Sequence, residues 1–155
     1  MHALLLTLLL AVTPLAPLLG AKAWIGSAPT AESLAGKVVI VDVFTYSCIN
    51  CQHVVPELRA LRKRYSERDL AIIGIHTPEL QSDYPRRNVV ENLALQGITW
   101  PVAIDNDQRL WNAFGIDAWP TQLIYGRDGS LRKTIVGEGQ DDLVSATVAA
   151  LVARR

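Results

Sequence analysis

An α/β domain, with a mixed central sheet and helices on both faces, is the fold class this chain of 155 residues predicts. Three observations carry it. Short apolar runs alternate with helical periodicities in the order β-α-β-α-β-α-β-β-α, as successive parallel βαβ units do. The last two apolar runs flank Arg127-Asp128-Gly129-Ser130, an Asp-Gly turn of the kind that joins antiparallel strands. The length suits one domain, with enough chain for a sheet and its covering helices.

Val38–Phe44 is apolar on both faces, the pattern of a central parallel strand. A helix over Gln52–Tyr65 follows from Val55, Leu58, Leu61 and Tyr65 at helical spacing, with Pro56 predicting a kink inside it. Ala71–Ile75 is a second buried strand. Asn88–Leu95 reads as a helix ended by Gly97, with Asp83 or Ser82 as its starting cap. Val102–Ile104 is a short strand, and Gln108–Phe114 a short helix stopped by Gly115. Thr121–Tyr125 and Leu131–Val136 form the hairpin. Asp141–Val152 closes the chain as a helix begun by Asp141 or Gln140.

The N-terminus has a different character. No charge occurs from Ala3 to Leu19, and Ala21-Lys22-Ala23 has the small-x-small form of a secretory cleavage site. Pro14 and Pro17 interrupt the run, which is short for a membrane-spanning helix. Residues 1–23 therefore read as an export signal, or alternatively as an uncleaved anchor, although Met1-His2 supplies no basic n-region. Residues 24–35, rich in Gly, Ser and Pro, read as a linker, and 36–155 as the folded domain. Either fate of the leader places the domain outside the cytoplasm, periplasmic or extracytoplasmic, as a free protein or an anchored one.

Charge says little about partners. Fifteen Lys and Arg balance fifteen Asp and Glu, and no basic stripe is present to hold a phosphate backbone, so nucleic acid is not an expected partner.

The chemistry concentrates in Cys48-Ile49-Asn50-Cys51, which holds the only two cysteines of the chain. The pair sits where the first strand hands over to a helix, and a helix N-terminus stabilises a thiolate through its dipole and unpaired N–H groups. A four-residue loop staples a fold weakly, worth roughly 2 kcal/mol by chain entropy, so a purely structural disulfide is a poor use of the pair. Zinc would need two further ligands, and only His2, His53 and His76 are on offer. Redox cycling between dithiol and disulfide is favoured over a metal-binding or metal-delivery module, which stays as the reading of another class. Asp42 shares a strand face with Ile40 and Phe44, where burial should raise its pKa. A carboxyl so placed can take a proton from the second thiol, unless it reaches solvent at the strand end. His53 and His76 read as packing or surface residues.

Taken together, Asp42, Phe44-Thr45-Tyr46-Ser47, Cys48-Ile49-Asn50-Cys51, Pro56 and Pro120-Thr121 resemble the thioredoxin superfamily over about residues 36–155. Several further motifs are similar to its TlpA-like branch, particularly the thioredoxin-like domain of DipZ-type proteins. They are Cys-Ile-Asn-Cys itself, Gly74-Ile75-His76-Thr77-Pro78-Glu79, Asp105-Asn106-Asp107, Trp111-Asn112-Ala113-Phe114-Gly115, Trp119-Pro120 and Gly137-Glu138-Gly139. The resemblance implies a thioredoxin-like fold with an extra helix, around Asn88–Leu95, between the second and third of these strands. It makes Cys48 the nucleophile, Cys51 the resolving thiol and Asp42 the proton-transfer acid. Pro120 becomes the cis-proline of a substrate-facing loop, with Trp119 and Thr121 beside the substrate, and Glu79 an acid near the site. The implied activity is thiol-disulfide oxidoreduction on protein substrates without a cofactor or a metal. Direction follows from the Ile49-Asn50 pair: an imidazolium between the cysteines would favour an oxidant, and its absence favours a reductant regenerated by a membrane electron-transfer protein. An exported oxidase is the alternative on the same fold. One departure is Ser47, where typical thioredoxins carry Trp.

Overall fold

The computed structural model describes residues 14–154. A six-stranded sheet runs in the order β1-β4-β3-β2-β5-β6, from strands β1 (Trp24–Ile25), β2 (Val38–Phe44), β3 (Leu70–His76), β4 (Val102–Ile104), β5 (Thr121–Tyr125) and β6 (Leu131–Val136). β2, β3 and β4 are parallel, whereas β5, β6 and β1 join antiparallel. The sheet is mixed, as the sequence predicts. β2 lies at its centre with every residue buried, because it pairs on both edges and carries helices on both faces.

The helices are α1 (Ala16–Leu19), α2 (Ala31–Leu34), α3 (Ile49–Arg64), α4 (Arg86–Gln96), α5 (Arg109–Ala113) and α6 (Asp141–Ala153). Alternating β2 side chains feed two cores. Val38, Ile40 and Phe44 meet α3, α4 and α6 through Val55, Leu58, Leu93, Val144 and Val148. Val39, Val41 and Val43 meet Leu110, Ile116 and Leu123 on the opposite face. The extra helix is α4, between β3 and β4, and Gly97 at φ 67° ends it.

The starts of α3 and α4 differ from expectation. α3 begins at Ile49 because Cys48 Sγ accepts the Cys51 N–H at 3.2 Å and caps the first turn. Pro85 occupies the N-cap position of α4, and neither Ser82 nor Asp83 caps it. Asp105 accepts from the N–H groups of Leu110 and Trp111 at 2.8 and 2.9 Å, satisfying the open donors of α5. Gln140 and not Asp141 stands at the N-cap position of α6, without a side-chain bond.

The N-terminal segments differ most. Residues 24–35, expected as a linker, hold edge strand β1 and a turn of helix closed by a capping box between Thr30 and Ser33. Residues 14–23, expected within the leader, pack on the domain. Leu18 is fully buried and Leu15 nearly so, against Leu34, Val39, Leu110 and Tyr125. Arg109 donates to the Gly20 carbonyl, and the Ile104 N–H donates to Ala23 O at 2.9 Å, continuing the β1–β4 ladder. Leucines bury here because the α5 face of the sheet would otherwise lie open; each contributes roughly 1.5–3 kcal/mol. The apolar run ahead of Pro14 lies outside the described residues. No described helix is long and apolar enough to cross a membrane.

Candidate active site

The end of β2 and the start of α3 place the two thiols in unlike surroundings. Cys48 is half-buried at the helix N-cap; Cys51, one turn in, is 2% exposed and packs among Tyr46, Val55 and their neighbours. Both are free thiols. Burial first of all, then the adjacent Cys48, pushes the Cys51 thiol far up, and the charge of Asp42 adds to that cost. Cys51 therefore needs a proton acceptor before it can act as a nucleophile. Ile49, between the cysteines, is 60% exposed and leaves the Cys48 side of the turn open to solvent.

Asp42 lies under this turn, on the same β2 face as Ile40 and Phe44, and does not reach solvent. Neither carboxyl oxygen has a hydrogen-bond partner. Burial raises its pKa to about 7, against a weaker opposite pull from Gln122, its register partner on β5. Its partner on β3 is Gly74, where a Cβ would meet Phe44 at 2.9 Å and Val102 at 3.0 Å. Only glycine fits beside Phe44 at that position.

Opposite the dithiol turn, Trp119-Pro120 is a cis peptide bond. The Trp119 indole donates to Thr77 O at 3.1 Å and packs on Trp111 with centroids 4.2 Å apart. Gly137 N–H donates to Pro120 O at 2.9 Å, which ties the Gly137-Glu138-Gly139 turn to the proline. Glu138 pairs in turn with Nδ1 of His53, on the first turns of α3. Thr121, expected beside the substrate, is 2% exposed, and its hydroxyl donates to Ala118 O at 2.8 Å, bracing the turn from within.

Glu79 is exposed on the turn after β3. The acid that organises this region is Asp83, fully buried at the end of a short 3-10 turn, Gln81–Asp83. Its Oδ2 accepts from Thr45 Oγ1, Ser47 Oγ and the N–H groups of Glu79 and Leu80, at 2.9–3.1 Å. Burial opposes the charge, but these four bonds outweigh it and hold the carboxyl below the usual range. Behind Thr45, His76 Nε2 lies 3.3 Å from the same hydroxyl. Thr45 has one hydrogen and gives it to Asp83, so His76 Nε2 must be the donor and its Nδ1 a bare, unpartnered acceptor. Burial, against an opposing pull from Asp83, lowers the His76 pKa to about 4, so the ring is neutral at neutral pH.

A family model described as thioredoxin-like matches residues 36–131. The chain belongs to the thioredoxin-like family. It is 36% identical over 121 residues to DipZ of Mycobacterium bovis, a match covering 78% of this chain and 17% of that protein. It is 38% identical over 112 residues to NHL repeat-containing protein 2 of Homo sapiens, covering 72% of this chain and 15% of that one. Thiol-disulfide oxidoreductase YkuV of Bacillus subtilis is 29% identical over 120 residues, 77% of this chain and 80% of its own length. Among solved structures, a thiol-disulfide isomerase from Corynebacterium glutamicum superposes with a TM-score of 0.78 at 25% identity, over 87% of this chain and 94% of that one. The chain spans between 12% and 17% of the length of the first curated relatives it matches.

On this thioredoxin-like frame the structure brings Cys48, Cys51, Asp42 and the Trp119-Pro120 loop to one end of the sheet. Among the described residues no group of three His, Cys, Asp or Glu side chains is placed to hold a metal ion. Sequence reasoning gave Asp83 only as a helix cap. The signal that could have found it is Ser47, where a hydroxyl replaces the usual Trp and needs a buried acceptor.

Proposed function

We propose that the protein is a thiol-disulfide oxidoreductase that reduces disulfides of protein substrates outside the cytoplasm. The observation that carries this is the asymmetry of the pair: an accessible Cys48 at a helix N-terminus, and a buried, strongly disfavoured Cys51 thiolate beside an unpaired carboxyl. The Cys48 thiolate attacks one sulfur of the substrate disulfide, forming a Cys48–substrate bond and expelling the other sulfur as a thiolate. Cys51 then gives its proton to Asp42 and attacks Cys48 Sγ, releasing the second substrate thiol. The product is a Cys48–Cys51 disulfide, and two electrons have passed to the substrate. An acid with a pKa near 7 is suited to that transfer at neutral pH.

The cis-Pro120 loop, with Trp119 at its edge, faces the dithiol turn and offers backbone to an extended substrate segment. A separate membrane electron-transfer protein returns two electrons. The Ile49-Asn50 pair, which has no cation to stabilise the thiolate, supports the reducing direction. Export rests on the uncharged N-terminal run and on the oxidisable pair. Because residues 14–23 complete the α5-side core, any removable leader ends before Pro14, not after Ala23.

Cys51→Ser should trap a mixed disulfide with substrate, and Cys48→Ser should trap nothing. Normal turnover in either variant would sink the mechanism. A couple near −120 mV against glutathione, in place of one near −270 mV, would make the protein an oxidase. Intact mass of the protein from an exporting host would locate the processed end; a mature chain starting at Trp24 would overturn the boundary.

A further inference from the structure

The three residues that lead from β2 into Cys48 are each held by the segment after β3. Thr45 and Ser47 donate to the same oxygen of Asp83 at 3.0 and 2.9 Å. Tyr46, between them, donates its hydroxyl to Ser82 O at 2.7 Å and stacks on His76 with centroids 5.6 Å apart. Its carbonyl accepts from Gln52 and from Gln96 of α4. Four donors converging on one oxygen need a full negative charge to hold them, since a neutral amide oxygen binds each about half as strongly. Asp83 is fully buried, so its charge has no other outlet. The bond from Ser47 acts one residue from the nucleophile, on a turn where Cys48 is half-buried and Ile49 is exposed.

From this we infer that Asp83 is the positioning residue for the nucleophile: its carboxylate clasps the Thr45–Ser47 lead-in to the 79–83 turn and fixes where Cys48 Sγ meets an incoming disulfide. The inference rests on the proposed role of Cys48 in thiol-disulfide exchange. Asp83 acts on the first exchange only, in which the Cys48–substrate bond forms as the substrate S–S bond breaks. Asp42 acts on the second, from the α3 side of the sheet.

The test isolates the first step. Reduced protein on a Cys51→Ser background is mixed with a self-quenched, disulfide-linked peptide, and the second-order rate of peptide release is read. Asp83→Asn should slow attack about tenfold, and Ser47→Ala about threefold. The double variant should be no slower than Asp83→Asn alone, because both remove one bond system. Ser47→Thr, which keeps the hydroxyl, should restore attack to about the wild-type rate. With Cys51 present, resolution of a preformed mixed disulfide should be unchanged in Asp83→Asn.

Equal slowing of attack and resolution would mean a general loss of order and would overturn the proposal. Additive effects at Ser47 and Asp83 would overturn it as well, as would a wild-type attack rate in Asp83→Asn with native circular dichroism. Should Asp83→Asn fail to fold, the Ser47→Ala and Ser47→Thr pair decides: equal rates in both overturn the clasp. Attack that survives Cys48→Ser would instead sink the nucleophile assignment, and so separates failure of that reading from failure of the clasp.

Discussion

Two carboxyls flank the dithiol, each almost wholly buried, and the protein treats them in opposite ways. Asp42 has no hydrogen-bond partner, and burial carries its pKa to about 7. Asp83 has four strong donors on one oxygen and is held below the usual range. Burial alone therefore does not set the state of an acid; the count of donors aimed at it does. One carboxyl is free to exchange a proton with a thiol. The other is locked as an anion and serves as an anchor for a loop.

The largest difference should appear in stability on truncation. Asp83→Ala leaves the buried Thr45 hydroxyl and the Glu79 and Leu80 N–H groups without their acceptor and should cost about 3 kcal/mol by urea unfolding at pH 8. Asp42→Ala removes a carboxylate that is ionised and unpaired at that pH, and should be neutral or stabilising. Equal losses would erase the distinction.

The pH dependence sharpens it. Asp42 binds its proton more tightly folded than unfolded, so its contribution is full below about pH 4 and is lost as pH rises towards 7. His76 works in reverse: kept neutral to about pH 4, it opposes folding in acid, and stability rises as pH climbs to its unfolded value of 6.5. Between pH 4.5 and 6.5 the two slopes nearly cancel. Asp42→Asn should uncover the His76 slope, a gain of roughly 2 kcal/mol across that window. A flat profile in Asp42→Asn would show that His76 does not act this way.

A smaller effect is expected in kinetics. Asp42→Asn should slow release of substrate from the mixed disulfide by about tenfold while leaving Cys48 attack unchanged, the mirror image of Asp83→Asn. Stopped-flow measurement of the two steps separates the variants. The smallest change belongs to an exposed contact at the rim. Glu138→Gln breaks the exposed pair with His53 and should shift stability by about 0.5 kcal/mol at most, which urea midpoints can check.

Much of this was legible in the chain itself. β2, β4 and β5 coincide with the apolar runs that predict them, because a strand buried on both faces is written in consecutive residues, whereas the largely exposed β6 is marked by the Asp-Gly turn before it. Cys48-Ile49-Asn50-Cys51 at a strand-to-helix junction shows the dithiol, and the face alternation of β2 puts Asp42 on an apolar face, where the structure buries it. The anchoring role of Asp83 was not legible, because its side-chain donors Ser47 and Thr45 lie 36 and 38 positions back along the chain.

The sequence by itself determined the order of strands and helices from β2 to α6, the position of the dithiol and the apolar strand face that carries Asp42, since each depends on spacing within a few residues. Only the tertiary structure decided that residues 14–25 pack against the sheet. A short stretch broken by Pro14 and Pro17 has little local pattern, and β1 exists through its ladder with β4 while Leu15 and Leu18 are buried by a sheet face formed far along the chain. Tertiary structure also decided that Asp42 is left unpaired while four donors hold Asp83, because hydrogen-bond donors converge in space and not in sequence.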